Sequence, residues 1–463
     1  MSVPLSSLGP AAAPLTRRLV RGGGWALLAR AVALPIGLLQ AMLLTRILTP
    51  TEVGAYFLAI SLIGVLAILA QVGMSRPMVK LVASALATDR PQAARHAIRV
   101  ALLVTLTSGI LLALALAAGL GEALSAILDD GVALRGVLPI IAVMVLAFAL
   151  IDVVAETLRG FHDLRAASAF GDYLAQRAAL MLVLGTIWLV GWPADLTTVL
   201  VAALAAAVLM LLLALGQLRR QLAKIGRHGA RWSTPEVLGH GLPFLLVRLN
   251  FWFSAGADLW VLGMFRPPEE VAVYGAASRL AMIVGTPLAV SNAVLAPIIA
   301  ELHSRGERAR LERVLRAAAT LGALPALLLA ALFFALGDRI LSISFTEAYA
   351  EGRLVVVTLA IGHLVNVLFG SCALALIMTG HQRDVVVTSA LAGLVTVVAF
   401  YLVAPTYGAA GVALVGALAL ILYNVVLVGL VRWRLQMITC GTFSTTLLRR
   451  FADELTGAFG RPR

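Results

Sequence analysis

Six charged side chains stand inside long apolar stretches of this 463-residue sequence, where helices rarely carry charge. Three are basic and three are acidic: Arg30, Arg248, Arg279, Asp258, Asp152 and Glu156. Several guanidinium groups facing one cavity suit phosphate or pyrophosphate, because each can donate two parallel hydrogen bonds to such an anion. We therefore predict that the three arginines bind an anionic substrate. The alternatives are snorkelling and ion pairing with an interior carboxylate.

The acidic residues are either partners of those arginines or a site for a coupling ion. Asp152 and Glu156 are four residues apart, which places them on one face of a helix. Asp258 lies deeper in its apolar stretch. We predict all three as candidate sites for H⁺ or Na⁺, with structural ion pairing as the alternative.

The stretches around these residues are typical of a membrane protein. Hydrophobic residues make up 61% of the chain and charged residues only 13%, whereas soluble domains have about 25% charged residues. A nearly uncharged helix of roughly 20 residues crosses a bilayer core of about 30 Å. We predict an all-α polytopic membrane protein with about twelve transmembrane helices. The predicted spans are 22–45, 53–74, 97–119, 136–156, 172–192, 195–217, 238–263, 271–299, 314–337, 354–378, 385–405 and 409–431.

The distribution of basic residues predicts the orientation of these spans. With the N-terminus inside, 28 of the 36 Lys and Arg residues fall in the N-terminal arm, the cytoplasmic loops and the tail, and 5 fall on the outer side. This asymmetry predicts that both termini are cytoplasmic. The net charge of +13 then matches anionic inner-leaflet lipid, so we expect no nucleic-acid partner.

A short polar turn recurs 218 residues further along, which indicates an internal repeat. Without gaps, residues 23–62 match residues 241–280 at eleven of forty positions. The matches include residue types that are scarce in the apolar stretches of this chain, paired as Arg30/Arg248, Pro50/Pro268, Glu52/Glu270 and Tyr56/Tyr274. We interpret the proline as setting the turn, the acid as lying at the helix N-terminus and the tyrosine as lying at the membrane interface.

Two parallel repeats of six spans predict two lobes, an architecture that transporters use with the substrate site between the lobes near the bilayer midplane. Because six is even, both repeats start on the cytoplasmic side. The predicted segments are a cytoplasmic N-terminal arm 1–21, an N-lobe 22–217, a basic cytoplasmic linker 218–237, a C-lobe 238–431 and a cytoplasmic tail 432–463.

Three stretches resemble a known family. "LTRILTPTEVGAYFLAISLIGVLAILAQVGMSRPMVKLVA" looks like the opening of the bacterial O-antigen and exopolysaccharide flippases, and "TLRGFHDLRAAS" and "IMTGHQRDVVVTSALAGLVTVV" are similar to later parts of them. These flippases belong to the multidrug/oligosaccharidyl-lipid/polysaccharide exporter (MOP) superfamily. The resemblance covers about residues 20–432.

The resemblance implies twelve helices in two lobes around a central cationic cavity, a role that falls on Arg30, Arg248 and Arg279. It implies transport of an undecaprenyl-pyrophosphate-linked oligosaccharide, an O-antigen or exopolysaccharide repeat unit, across the bacterial inner membrane by alternating access. The expected partners are this lipid-linked oligosaccharide, membrane lipid and the machinery of polysaccharide polymerisation and export.

Three other functions remain open at this point. One is a membrane scaffold, which would lose no function when the buried arginines are removed. A multidrug and toxin extruder shares the two-lobe plan, but organic cations need an acidic or aromatic cavity, whereas the predicted cavity is basic. A membrane polysaccharide polymerase or ligase needs a large outer loop with catalytic residues, and the predicted outer loops are short. The sequence has no Walker A, HExxH or GxSxG pattern. We therefore predict a transporter and not an enzyme, with no catalytic residues, metal site or cofactor.

Overall fold

The architecture is that of a computed structural model, which describes residues 35–128, 132–171, 174–226, 228–230 and 232–442. These residues form helices joined by turns and contain no β-strand. The helices are α1 (Pro35–Ile47), α2 (Pro50–Ala70), α3 (Ser75–Ala87), α4 (Pro91–Ala115), α5 (Gly121–Ala126), α6 (Val132–Gly160), α7 (Leu164–Gly171), α8 (Leu174–Val190), α9 (Leu196–Lys224), α10 (Thr234–Gly239), α11 (Gly241–Phe265), α12 (Pro268–Ala281), α13 (Thr286–Ser304), α14 (Arg308–Ser344), α15 (Arg353–Phe369), α16 (Cys372–Met378) and α17 (Gln382–Leu435).

The helix lengths account for the predicted number of spans. Within the described residues, eight helices are long and apolar enough to cross a membrane, counting α4 with α5 and α12 with α13 as continuous. One of them, α17, has 54 residues and would be about 80 Å long, more than twice the thickness of a bilayer core. Its backbone leaves the helical conformation at Gly408 (φ 54°, ψ −143°), so α17 comprises two spans. Helices α1, α8 and α11 lie in the first, fifth and seventh predicted spans, so each of the twelve predicted spans contains a described helix.

Arg266 and Glu270 bind the two helix ends that meet at this break in α17. Arg266 donates hydrogen bonds of 3.2 Å to the carbonyl of Ala404 and 3.0 Å to the carbonyl of Pro405. Glu270 accepts a hydrogen bond of 2.6 Å from the N–H of Ala409. The cation thus lies at a helix C-terminus and the anion at a helix N-terminus, which is the favourable arrangement for both helix dipoles. Arg266, in the turn after α11, and Glu270, in the first turn of α12, therefore satisfy backbone groups on both sides of the break.

We expect Glu270→Ala to destabilise the protein more than Glu52→Ala, although both acids occupy the same position of the repeat. Glu270 satisfies the buried N–H of Ala409, and leaving such a donor unpaired costs about 1–3 kcal/mol. Glu52 caps the exposed start of its own helix through Thr49, a contact typically worth about 1 kcal/mol. Thermal unfolding of both purified variants in one detergent measures the difference. Equal losses of stability would contradict this role of Glu270.

The described chain divides into two compact units. Unit 1 contains the described residues of 1–48, 59–126 and 131–249, and unit 2 contains those of 49–58, 127–130 and 250–463. In unit 1, α3, α4, α7 and α9 pack around the central helix α6. In unit 2, α15 packs against α12, α14 and α17. Each unit has its own apolar core; representative buried residues are Met78, Val82, Val154 and Leu158 in unit 1 and Ile299, Leu311, Leu376 and Val431 in unit 2.

The recurring turn opens α2 and α12, as its spacing predicts. Both helices begin at the repeated proline, Pro50 or Pro268, and both carry an acid in their first turn. The interpretation of the tyrosines was wrong, because Tyr56 and Tyr274 are buried in the protein instead of facing lipid headgroups. A tyrosine can be buried when its hydroxyl finds a partner, and Tyr274 donates to the carboxylate of Asp258.

Candidate functional site

The break between α2 and α3 sets the position of Arg248. Val72 and Gly73 have positive φ angles of 48° and 73°, which end α2. An ideal Cβ on Gly73 would lie 2.0 Å from the carbonyl oxygen of Gly241, so only glycine allows this approach to the first turn of α11. Arg248 follows about two helical turns along α11. The chain therefore holds its guanidinium beside the α2–α3 break.

Arg248 donates hydrogen bonds within a buried polar cluster. Its Nη1 lies 2.8 Å from Oε1 of Gln71 and 2.8 Å from Oγ of Ser75, and it also donates to Oδ2 of Asp152. The three partners are buried, whereas 25% of the Arg248 side chain remains exposed. The contact between Arg248 and Asp152 is the ion pair predicted as the alternative to substrate binding, and a quarter of the Arg248 side chain is exposed.

Glu156 lies one turn further along α6 and is also buried. Its Oε1 lies 3.3 Å from Nη1 of Arg159 and 3.5 Å from Nη1 of Arg76. Its Oε2 has no hydrogen-bond partner among the described residues. With Asp152 and Arg248, three arginines and two carboxylates meet on this face of α6, a formal charge of +1. We call these five residues, with Gln71 and Ser75, the Arg248 cluster.

Arg279 lies in unit 2 and stacks on Phe57. Its guanidinium carbon is 3.7 Å from the centre of the Phe57 ring, and its Nη1 donates a hydrogen bond of 2.7 Å to the carbonyl of Gly275. An ideal Cβ on Gly275 would lie 2.3 Å from the same ring, so Phe57 fills the space that a side chain would need. The cation–π contact and the hydrogen bond together keep Arg279 within the α2–α12 helix pair.

Asp258 is held by the repeated tyrosine. The hydroxyl of Tyr274 donates a hydrogen bond of 2.8 Å to Oδ2 of Asp258, and the N–H of Leu259 donates one of 2.9 Å to Oδ1. Within the described residues, no lysine or arginine lies at ion-pair distance from this carboxylate. Its surroundings thus differ from those of Asp152 and Glu156, which both have arginine partners.

Equivalent positions of the two repeats touch each other where α2 and α12 begin. Thr51 donates a hydrogen bond to Glu269, and Phe57 packs against Gly275. The members of each pair are 218 residues apart, which is the offset of the repeat. These contacts therefore join α2 and α12 at equivalent positions of the repeat. We name this set the clasp: Thr51, Gly54, Phe57, Pro268, Glu269, Gly275 and Arg279.

The structure describes five of the six residues predicted for the site. Asp152 and Glu156 join Arg248 in unit 1, and Arg279 and Asp258 lie in unit 2. Arg30 lies outside the described residues, so its equivalence with Arg248 stays a prediction, as do the roles of all six.

Sequence reasoning missed the neutral partners of Arg248 and the clasp. Gln71 and Ser75 flank an ordinary-looking turn, and nothing in their local sequence indicates an arginine 173 or more residues away. The clasp did have a signal in the repeat. A large residue, Phe57, stands where the second repeat has Gly275, which is the pattern expected when equivalent positions pack against each other at an axis.

Solved transporter structures share this fold at low sequence identity. A multidrug resistance MATE family transporter of the MOP superfamily, in an inward-facing conformation, is 16% identical with a TM-score of 0.72, covering 87% of this chain and 94% of that chain. The lipid II flippase MurJ, in an inward closed conformation, is 14% identical with a TM-score of 0.71, covering 93% and 91%. A MOP superfamily transporter from Pyrococcus furiosus is 14% identical with a TM-score of 0.58, covering 90% and 95%. These likenesses confirm the predicted all-α membrane fold of about twelve helices in two lobes.

Two family models match parts of the sequence. No curated protein matches the chain. The MatE family model matches residues 243–402, and the family model described as "Polysaccharide biosynthesis protein" matches residues 19–303. Because the second match covers more than half of the sequence, this chain belongs to the polysaccharide biosynthesis protein family.

Proposed function

We propose that this protein is a flippase that carries a lipid-linked oligosaccharide across the bacterial inner membrane by alternating access of the N-lobe (22–217) and the C-lobe (238–431). The cargo is an undecaprenyl-pyrophosphate-linked O-antigen or exopolysaccharide repeat unit, which moves from the cytoplasmic to the outer leaflet and on to the polymerisation and export machinery. Both termini are cytoplasmic. Arg30, Arg248 and Arg279 bind the pyrophosphate.

The Arg248 cluster is the observation that carries this proposal. A pyrophosphate diester brings negative charge that hydrocarbon cannot solvate. Arg248 offers a guanidinium on a side chain that is one-quarter exposed, with neutral hydrogen-bonding groups beside it, in a cluster whose formal charge is +1. Arginine replaces the lost water with charge-assisted, bidentate hydrogen bonds. The sugar and the polyprenyl tail need no such compensation, since one can remain in water and the other in lipid.

Asp152 provides a way to release the cargo. In the described state its carboxylate takes hydrogen bonds from Arg248 that the pyrophosphate would otherwise accept. Substrate binding therefore displaces the carboxylate, and the returning carboxylate displaces the substrate. This exchange keeps the net affinity moderate, because binding one anion means losing another.

The same competition argues against Asp152 as the antiport site. A proton on Asp152 would weaken the bond between Asp152 and Arg248 and would therefore strengthen substrate binding. By thermodynamic reciprocity, bound substrate would raise the affinity of Asp152 for a proton. Proton and substrate would then move together, whereas export driven by an inward ion gradient needs them to exclude each other. We therefore assign coupling to H⁺ or Na⁺ to Asp258, which has no ion-pair partner among the described residues. Glu156, whose Oε2 has no hydrogen-bond partner in the same part of the chain, is the second candidate.

We expect Asp258→Asn to make transport insensitive to the ion gradient. Asparagine retains an oxygen that can accept the Tyr274 hydroxyl, so the local fold is kept, but it cannot bind a proton or balance a cation. Cargo flipping in proteoliposomes is measured with and without an imposed H⁺ or Na⁺ gradient. Asp384→Asn, which removes a peripheral acid paired with Arg434, is the control. Unchanged stimulation of Asp258→Asn by the gradient would remove Asp258 from the coupling role.

A multidrug extruder is the second candidate function. It is favoured by the MatE match over residues 243–402 and by the likeness to a MATE transporter. The buried acids Asp152 and Glu156 and the partly buried Asp258 supply the negative charge that an organic cation would need. The two functions differ in the charge of the cargo, which makes them separable by experiment.

Reconstitution in vesicles tests the proposal. Fluorescent polyprenyl-pyrophosphate oligosaccharide is placed in both leaflets, and a membrane-impermeant reagent bleaches only the outer pool. A flippase makes the whole pool accessible to the reagent, whereas empty vesicles protect about half of it.

In a deletion strain, the lipid-linked repeat unit should accumulate in the inner leaflet. Absence of flipping together with transport of a fluorescent organic cation would replace this proposal with the multidrug function.

A further inference from the structure

Unit 1 has an open cleft at the end of the molecule that the topology predicts to face outward. The cleft has a volume of about 670 Å³ and lies where the end of α1 meets the turn between α8 and α9. Its walls include Arg46, Trp188, Trp192, Pro193, Asp195 and Thr198. None of these residues belongs to the Arg248 cluster or to the clasp, so the cleft is separate from the proposed transport site.

An apolar groove of about 420 Å³ shares Arg46 with this cleft. The groove runs between α1 and α8, and its walls include Leu39, Met42, Leu43, Met181, Leu182 and Leu189. Leu182 is 69% exposed and Leu189 is 77% exposed, so in a bilayer these side chains contact hydrocarbon. Together, cleft and groove have a polar end and an apolar end, which is the shape of a lipid molecule with its headgroup and chain.

The polar end contains one cation and one anion. Asp195 accepts hydrogen bonds of 2.6 Å from Oγ1 and 2.9 Å from the N–H of Thr198, as the N-cap of α9. These two bonds hold the pKa of Asp195 below its usual range, so the carboxylate is ionised at neutral pH. Arg46 supplies the positive charge, and Trp188 and Trp192 present partly exposed indoles.

We propose that this cleft and groove bind a zwitterionic phospholipid of the outer leaflet. Arg46 holds the phosphate, Asp195 and the indole faces of Trp188 and Trp192 hold the ammonium group, and an acyl chain lies along the groove. Guanidinium groups suit phosphate oxygens, ammonium groups bind over tryptophan faces, and tryptophans are enriched at the depth of lipid headgroups. An anionic lipid without an amine would place no cation against Asp195, which is why the charge pattern selects a zwitterion.

Lipid retention by the purified full-length protein tests this site. Detergent-solubilised protein is incubated with phosphatidylethanolamine or with phosphatidylglycerol of the same acyl chains, and bound lipid is counted by native mass spectrometry alongside thermal unfolding. We expect phosphatidylethanolamine to be retained in preference and to raise the unfolding temperature more. Arg46→Ala and Asp195→Asn should each weaken its retention by about tenfold or more, the effect of one charge-assisted hydrogen bond.

The variants are chosen so that folding does not decide the outcome. Asparagine caps a helix as well as aspartate does, so Asp195→Asn removes the charge and keeps the start of α9. Arg339→Ala, which removes an exposed arginine on the same predicted side but outside the cleft, is the matched control and should leave retention unchanged. Equal retention of the two lipids, or retention that neither Arg46→Ala nor Asp195→Asn reduces, would overturn the proposal.

Discussion

The double variant Asp152→Asn, Arg248→Gln is expected to insert into the membrane at normal abundance and to lose polysaccharide export. The two amides can hydrogen-bond to each other in place of the ion pair, so no buried charge is left alone. The substrate, however, loses a charge-assisted contact worth about 1.5–3 kcal/mol, or roughly tenfold or more in transport rate. Complementation of a deletion strain measures surface polysaccharide, and immunoblotting of membranes measures abundance.

Single variants separate the stability of the cluster from its function. Arg248→Ala alone leaves Asp152 buried without its cation, which costs about 3–5 kcal/mol and should lower abundance as well as export. Arg248→Lys should retain part of the export, because lysine keeps the charge and loses the bidentate geometry. Arg30→Ala is expected to reduce export in the same way. Arg305→Ala, a surface arginine paired with Glu301, is the matched control. Normal export by the double variant would exclude a cationic site at Arg248.

Locking the clasp should stop transport almost completely. In the proposed alternating-access cycle, we expect the starts of α2 and α12 to separate on the predicted outer side when the cargo is released. Thr51 and Glu269 touch in the described state, so cysteines at these two positions lie within reach of a short, cleavable bifunctional thiol reagent. We expect the cross-linked protein to keep less than about a tenth of its flipping activity in vesicles, because the starts of α2 and α12 can no longer separate.

The controls show whether the cross-link itself is responsible. Each single-cysteine variant is treated with the same reagent and should keep its activity. Cys372 and Cys440 are free thiols, so both are replaced by alanine in all of these proteins. Cleaving the reagent should restore flipping. Full activity of the cross-linked double-cysteine protein would show that the clasp is not a gate.

The fold could be predicted from the sequence to a large extent because its main signals are local. A membrane helix needs about 20 consecutive apolar residues and satisfies its backbone hydrogen bonds within itself, so each span is visible in its own segment. The repeat was visible because scarce residues such as Pro50 and Pro268 recur with one offset. The break at Gly408 was visible as the polar interruption between the eleventh and twelfth predicted spans.

Which charges meet was decided by the tertiary structure alone. Arg248 lies 96 residues from Asp152 and 177 from Gln71, and no local pattern encodes such pairings. The two repeated acids show the same dependence on tertiary structure. Glu52 and Glu270 are equivalent in sequence, yet Glu52 caps its own helix and Glu270 caps the second half of α17.

The sequence by itself determined where helices form and on which face of a helix each charge lies, because both follow from residue type and helical period. Only the packing of helices distant in sequence decided that Arg248 pairs with Asp152, because a buried charge is stabilised by the groups that packing brings to it and not by its neighbours along the chain.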